Sequence, residues 1–287
     1  KHIFAEKPLA IDPQGLQAVE QAAEEAKKKN LTLISGLVYR YEKSIQEAQR
    51  LIADGKLGEV LSAYSSFYSW QVRALPSEKP ENLSQLEWAM RYWHNFREIS
   101  GDSYLEQVIH SIDKLLWSCG DTMPESCLAT GGRQVPMLGS NIYDHFSVNY
   151  NFGKGLRAQI STRQMNQTHN EILDSVRGSK GYAELPRLVV DEKEVYQKNI
   201  NLAEAYKEQH RSLLKSLRAD KGRNDLQSFA IKSHKMALMG RLAAYTGQEV
   251  TWQDVLDAEQ VIWDPQTAKD FQSEFNPKPM PIPGQSV

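Results

Sequence analysis

Cysteine is almost missing from this sequence. Cys119 and Cys127 are the only two among 287 residues. They form neither a disulfide framework nor a zinc pattern and read as two buried thiols. No apolar run approaches the roughly 18 residues of a membrane span. No charge of one sign dominates: 34 Lys and Arg stand against 36 Asp and Glu, a formal net charge of −2. That balance gives no electrostatic case for nucleic acid as a main ligand. Internal repeats and low-complexity blocks are also absent. So is the phosphate-binding pattern G-x-G-x-x-G. Its one near match, Gly153-Lys154-Gly155, lies in FGKG (152–155), which reads as a hairpin turn. What the chain does have is 40% hydrophobic residues, enough for a large core in one or two domains.

The front of the chain alternates. HIFAE (2–6) is an apolar run suited to a buried strand. Asp12 and Pro13 start a helix over 14–30, with Leu16, Val19, Ala22, Ala23 and Ala26 on one face and lysines in the last turn. LTLISGLVY (31–39) is a second strand, and 44–60 a helix stopped by Gly55. Short joints in that order predict parallel strands in an α/β layer. An aromatic-rich strand follows (61–70), then an irregular stretch (73–100) holding Trp88, Arg91, Tyr92, Trp93, His94 and Phe96. DSYLEQVIHSIDKLLWSCG (102–120) reads as one strong helix. Between 125 and 185 come successive strands with glycine-bearing turns, which predict an antiparallel sheet. Helices at 202–220, 225–247 and 251–263 and an extended proline-rich tail (275–284) close the chain. The fold class expected is α+β. A remnant of a Rossmann-like parallel α/β domain (1–38) precedes a large, mainly antiparallel open-sheet domain (39–287).

Chemistry-bearing residues stand out in three places. Lys7 precedes Pro8 at a strand end, where the backbone should be extended and where open α/β sheets bind ligands. In the 102–120 helix, Glu106, His110 and Asp113 lie along one side. A carboxylate one turn from an imidazole would orient it and favour its charged form. The same pattern also suits a solvated helix histidine or, with further ligands, a metal. The aromatic cluster at 88–96 suits stacking on sugar C–H faces, or a hydrophobic plug under a loop. For Arg163 and Gln164, strand alternation does not choose which one faces a pocket. The Met and Leu stripe of MALMGRLAAYTG reads as core.

Glu6-Lys7-Pro8 within KHIFAEKPLA resembles a signature of the Gfo/Idh/MocA oxidoreductases. The resemblance continues through SGLVYRYEKSIQEAQRLIADGKLGEV (35–60), GDSYLEQVIHSID (101–113), RQMNQTHNEILDSVRGSKGYAEL (163–185) and MALMGRLAAYTGQEVTWQDVL (236–256). It implies a chain lacking the first, pyrophosphate-seating part of its cofactor domain. It also implies use of NAD or NADP on a carbohydrate or cyclitol alcohol. In that resemblance Lys7, His110 and Glu106 are catalytic, with Lys7 and His110 assisting proton transfer and Glu106 orienting His110. Glu6, Lys7, Pro8 and Arg40 contact cofactor, with a salt-bridge role for Arg40 equally open. Trp93, His94, Arg91, Asp113 and Arg163 line the substrate. No metal is expected. The sheet is expected to pair with a second copy in a homo-oligomer. Two positions depart from the family pattern: Glu106 stands where aspartate is common, and Val108 where glycine is. A redox-neutral, cofactor-retaining cleavage of a glycoside and a non-catalytic sugar-binding module are the rival readings.

Overall fold

The computed structural model describes residues 1–135, 137–258 and 268–285. Strand β1 (Ile3–Ala5), helix α1 (Pro13–Lys28) and strand β2 (Leu33–Ser35) open the chain. The two strands pair in parallel, Ile3 opposite Leu33 and Ala5 opposite Ser35. The Asp12 side chain accepts the Gly15 amide at 2.7 Å, and Leu16, Ala23 and Ala26 face inward. The second strand is shorter than its apolar run. Gly36 N–H makes a last bond to the Ala5 carbonyl at 2.7 Å, and the chain then tightens into a 3-10 turn over Val38–Tyr41. That turn buries Val38, Arg40 and Tyr41 together, which an extended strand would split between two faces.

Helix α2 (Lys43–Ala53) leads to strand β3 (Val60–Ser69). The stretch expected to be irregular contains α3 (Gln85–Arg91), a 3-10 turn at Trp93–Asn95 and α4 (Arg97–Ser100). The helix expected over 102–120 is two helices, α5 (Ser103–Glu106) and α6 (Ile109–Ser118). At the break, the Glu106 carbonyl accepts a hydrogen bond from the Lys7 ammonium, a side chain inserted where the helical ladder would run.

The remaining strands are β4 (Ser126–Gly132), β5 (His145–Asn151), β6 (Arg157–Gln164), β7 (Glu171–Gly178), β8 (Gly181–Glu184), β9 (Arg187–Val190) and β10 (Lys193–Tyr196). With β3 they form one eight-stranded sheet, ordered β10-β9-β8-β7-β3-β6-β5-β4. All its pairings are antiparallel except β3 with β6. Helix α7 (Leu202–Arg218) follows, then a π-helical turn (Leu226–Ala230) running into α8 (Ile231–Thr246), and α9 (Trp252–Asp257). The part of the expected 251–263 helix beyond Ala258 lies outside the described residues. Helices α6 and α8 cover one face of the sheet, burying Ala63, Ser65 and Phe67 of β3 and Ala158, Ile160 and Thr162 of β6. A second, smaller cluster joins Leu83, Leu86, Trp88, Ala89 and Phe96 to Phe275 of the tail. Mixed α/β architecture, with a small parallel sheet beside a large antiparallel one, is therefore what the chain adopts.

Gly178 ends β7 against the chain entering β3. A Cβ there would lie 2.2 Å from the Leu57 carbonyl oxygen, a backbone atom that cannot swing away. Gly178→Ala is expected to lower the urea midpoint, at a cost of about 1–3 kcal/mol. An unchanged midpoint would mean that the β3–β7 entry is looser than this packing.

Candidate active site at the end of the first strand

Lys7 leaves the carboxyl end of β1 just before a cis Lys7–Pro8 peptide bond. Its Nζ donates to Glu106 Oε1 at 2.5 Å and to the Glu106 carbonyl oxygen. The two side chains are 16% and 6% exposed, so the pair is largely desolvated and its Coulomb attraction is strong. The other Glu106 oxygen accepts from Gln107 Nε2. Glu106 thus holds Lys7, and no bond from its carboxylate reaches His110.

His110 opens α6 with its ring edge-on to Tyr39, centroids 5.6 Å apart. Its Nδ1 is shielded and has no hydrogen-bond partner among the described residues. Burial, then the charges of Lys7, Lys114 and His234, push its pKa down to about 3. The carboxylate expected to orient this ring, Glu106, is bonded to Lys7 instead, and burial with the nearby cations disfavours the charged imidazole. Lys114 sits one turn further along α6, ion-paired to Asp174 of β7 and 4.1 Å above the Tyr39 ring centroid.

His94 stacks on Trp93 with centroids 3.9 Å apart. Burial lowers its pKa, Glu106 raises it, and Lys7 and Arg73 lower it, which places the ring within the field of the Lys7–Glu106 pair. Its Nδ1, too, is buried without a partner. Two further unpartnered buried atoms, Ser69 Oγ and Gln164 Nε2, come from register partners at the carboxyl ends of the parallel strands β3 and β6. Both follow the alternation of the helix-covered face. The segment after β3 is tied to the 93–95 turn by Gln71 Nε2 to Asn95 Oδ1 (3.2 Å) and Asn95 Nδ2 to the Arg73 carbonyl (3.1 Å). A polar atom left dry and unpaired costs about 1–3 kcal/mol. Such atoms suit a ligand rich in hydroxyl groups.

Other expected site residues lie elsewhere. Arg40 is 7% exposed and engages both oxygens of Asp113 at 2.9–3.0 Å through Nε, and Asp121 at 2.6 Å through Nη2. The Trp117 and Phe229 rings sandwich it at 4.4 Å each. Burial opposes its charge, but the two aspartates prevail and its pKa is raised. Its donors are engaged by this ion cluster, which is the salt-bridge role left open for it by the sequence. Asp113 is buried in the same cluster and accepts from Ser233 Oγ at 2.7 Å, so it is not on a pocket rim. Arg91 is exposed and paired with Glu87. Arg163 alternates to the sheet face opposite Gln164, stacks over Tyr68 at 5.0 Å and donates to the His169 carbonyl. Glu6 lies against Gly36, where a Cβ would collide with the Glu6 carboxylate and Cα. Both cysteines are free, and burial pushes the Cys119 thiol up to about 12 and Cys127 higher still.

A second buried imidazole, His234 on α8, is pushed by burial down to about 4. Both histidines hold fewer protons when folded than when unfolded, where the ordinary value is about 6.5. Stability is therefore fully present above about pH 6.5 and falls as pH drops through the window toward 3–4. The urea midpoint is expected to be lower at pH 5 than at pH 7.5, with a smaller difference in His234→Gln. Equal midpoints would contradict the buried, neutral state of these rings.

Comparison with known proteins follows this geometry. Residues 45–184 match the GFO/IDH/MocA C-terminal domain. Over 132 residues the chain is 30% identical to 2,7-anhydro-N-acetylneuraminate hydratase of Escherichia coli (strain K12), covering 46% of this chain and 30% of that protein. The matched part thus spans under a third of the length of that curated relative. Among solved structures, myo-inositol 2-dehydrogenase from Lactobacillus plantarum superposes with a TM-score of 0.67 at 16% identity, over 87% of this chain and 73% of that one. GenD2 from gentamicin A biosynthesis, in complex with NAD, gives a TM-score of 0.66 at 16% identity, over 88% and 71%. Those likenesses are of fold. The likeness of sequence is the match of residues 45–184 to the GFO/IDH/MocA C-terminal domain.

Proposed function

We propose that the chain carries the substrate side of an NAD(P)-dependent oxidoreductase acting on an alcohol of a carbohydrate or cyclitol. The observation that carries this reading is the Lys7–Glu106 pair at a parallel strand's carboxyl end, with the unpartnered nitrogens of His94 and His110 close to it in chain and field. Glu6, Lys7 and Pro8 fit the nicotinamide end of a dinucleotide: they sit where open parallel sheets bind ligands, and only a glycine at position 36 leaves room for Glu6. Among the described residues no strand, glycine-rich turn and helix seat a pyrophosphate. Bound there, the nicotinamide would supply the hydride acceptor.

The chain's own groups then handle the hydroxyl. Lys7 Nζ donates to the substrate oxygen and stabilises the charge that grows on it. As the hydroxyl proton passes to Lys7, Lys7 gives one to Glu106 Oε1, with which it is already bonded. His110, neutral and with a pKa near 3, holds a proton too weakly at neutral pH to be the terminal base. It orients the hydroxyl as a hydrogen-bond partner. Trp93 and His94 offer a stacked platform for the ring carbons.

The test is an assay of the protein with NAD or NADP and a panel of polyols, neutral sugars and acidic sugars. Substrate-dependent formation of reduced nicotinamide is expected. A ligand that binds but drives neither reduction nor conversion would leave only a binding module. The hydratase name of the Escherichia coli relative favours a second reading, redox-neutral turnover with the cofactor retained. In that case product accumulates while reduced nicotinamide does not. The sheet face bearing Tyr64, Tyr68 and Arg163 is where a second copy would pair.

A further inference from the structure

Helix α8 holds the Lys7 segment from behind at two points. His234, fully buried, takes the Leu9 amide on its Nε2 at 2.9 Å, while its Nδ1 lies 2.7 Å from the Ala230 carbonyl. A carbonyl only accepts, so Nδ1 carries the ring proton. A backbone N–H only donates, so Nε2 is bare. One neutral tautomer alone satisfies both contacts, and burial keeps the ring in it. Two turns further on, Arg241 Nη1 donates to the Ile11 carbonyl at 2.7 Å and to the Gly101 carbonyl at 2.9 Å. Arg241 thereby spans the two segments that deliver Lys7 and Glu106. Neither helix residue has a bond to Lys7 itself.

We infer that His234 is a positioning residue for Lys7: by fixing the Leu9 amide, its bare Nε2 sets the Lys7–Pro8–Leu9 turn so that the ammonium rests on Glu106. The role of Lys7 in turnover rests on the proposed function; the positioning itself does not. Removing the acceptor frees the turn, and Lys7 leaves the carboxylate part of the time. Glutamine at 234 places an oxygen near the lost Nε2 and restores the bond. Leucine fills the space and cannot accept.

The experiment uses the full chain as wild type, His234→Leu and His234→Gln, each shown folded by circular dichroism. Amide exchange of Leu9 and the rate of reductive methylation of Lys7 are followed by NMR. Lys114, buried and ion-paired to Asp174, is the internal reference. In His234→Leu, Leu9 exchange and Lys7 methylation are both expected to rise about tenfold, the equivalent of one lost hydrogen bond. Lys114 should not change, and His234→Gln should return toward wild type. General loosening would speed Lys114 and Lys7 alike and would overturn the inference. So would faster Leu9 exchange with Lys7 methylation unchanged, which would leave His234 a purely structural residue. Failure of the catalytic reading looks different: Lys7→Met would keep full turnover while the methylation pattern of the other variants stood.

Discussion

Glu106→Gln is expected to lower turnover by about 10²–10⁴-fold, the usual worth of a positioned proton-transfer group. Glutamine keeps the shape and still contacts Lys7 through its amide oxygen, but it cannot take a proton or balance the ammonium. Lys7→Met should lose a similar factor, because the two side chains form one ion pair at 2.5 Å, nearly closed to solvent. Their effects are therefore not independent. The double variant should be little worse than either single one, as for groups that act as a unit. The check is kcat and KM for the three variants against wild type, with circular dichroism to exclude unfolding. Additive losses would mean that Lys7 and Glu106 act separately. A loss in KM alone would mean that the pair binds substrate without moving its proton.

Arg40→Met should do the opposite. Removing the guanidinium leaves Asp113, 1% exposed, as a buried carboxylate whose remaining side-chain partner among the described residues is the Ser233 hydroxyl. Breaking a buried pair from one side costs about 3–5 kcal/mol, to which the loss of stacking between Trp117 and Phe229 adds. The urea midpoint should fall accordingly, while turnover per folded molecule stays close to wild type. A variant of wild-type stability with lost turnover would return Arg40 to the cofactor or substrate.

How far these features were legible in the sequence depends on how local their causes are. The β1–α1–β2 unit, its parallel pairing and its capping by Asp12 follow from adjacent residues, and they match. The antiparallel sheet, too, follows from short strands and glycine turns, although its central parallel pair, β3 with β6, does not. β10 is a short edge strand with mostly exposed residues, and β9 beside it is only four residues long, so neither carries much apolar alternation. The break between α5 and α6 was hidden because its cause is Lys7, 99 positions away. The same distance hid the true partner of Glu106. Helical spacing pointed to His110, four residues on, but the carboxylate met a cation from another element. Asp113 followed the same logic toward Arg40. Lys7 was legible mainly through the resemblance carried by Glu6-Lys7-Pro8, since a lysine before a proline at a strand end is by itself most often a solvated one. Gln164 and Arg163 needed the register with β3 to assign their faces, and Ser69, a small polar residue in an aromatic strand, gave no signal of its own. His234, just before the Met and Leu stripe that read as core, gave no signal of its own, yet it is buried and its two ring nitrogens are both engaged.

In the proposed function, substrate binds at the carboxyl end of β1, against Lys7, Glu106, His94 and His110. Its most direct test is a structure of the protein with nicotinamide cofactor and a turned-over polyol or sugar bound. The reacting hydroxyl is expected within hydrogen-bond reach of Lys7 Nζ, with the substrate ring against Trp93 and His94 and other hydroxyls on Ser69 and Gln164. A substrate seated on the opposite sheet face, beside Tyr68 and Arg163 and away from Lys7, would contradict it.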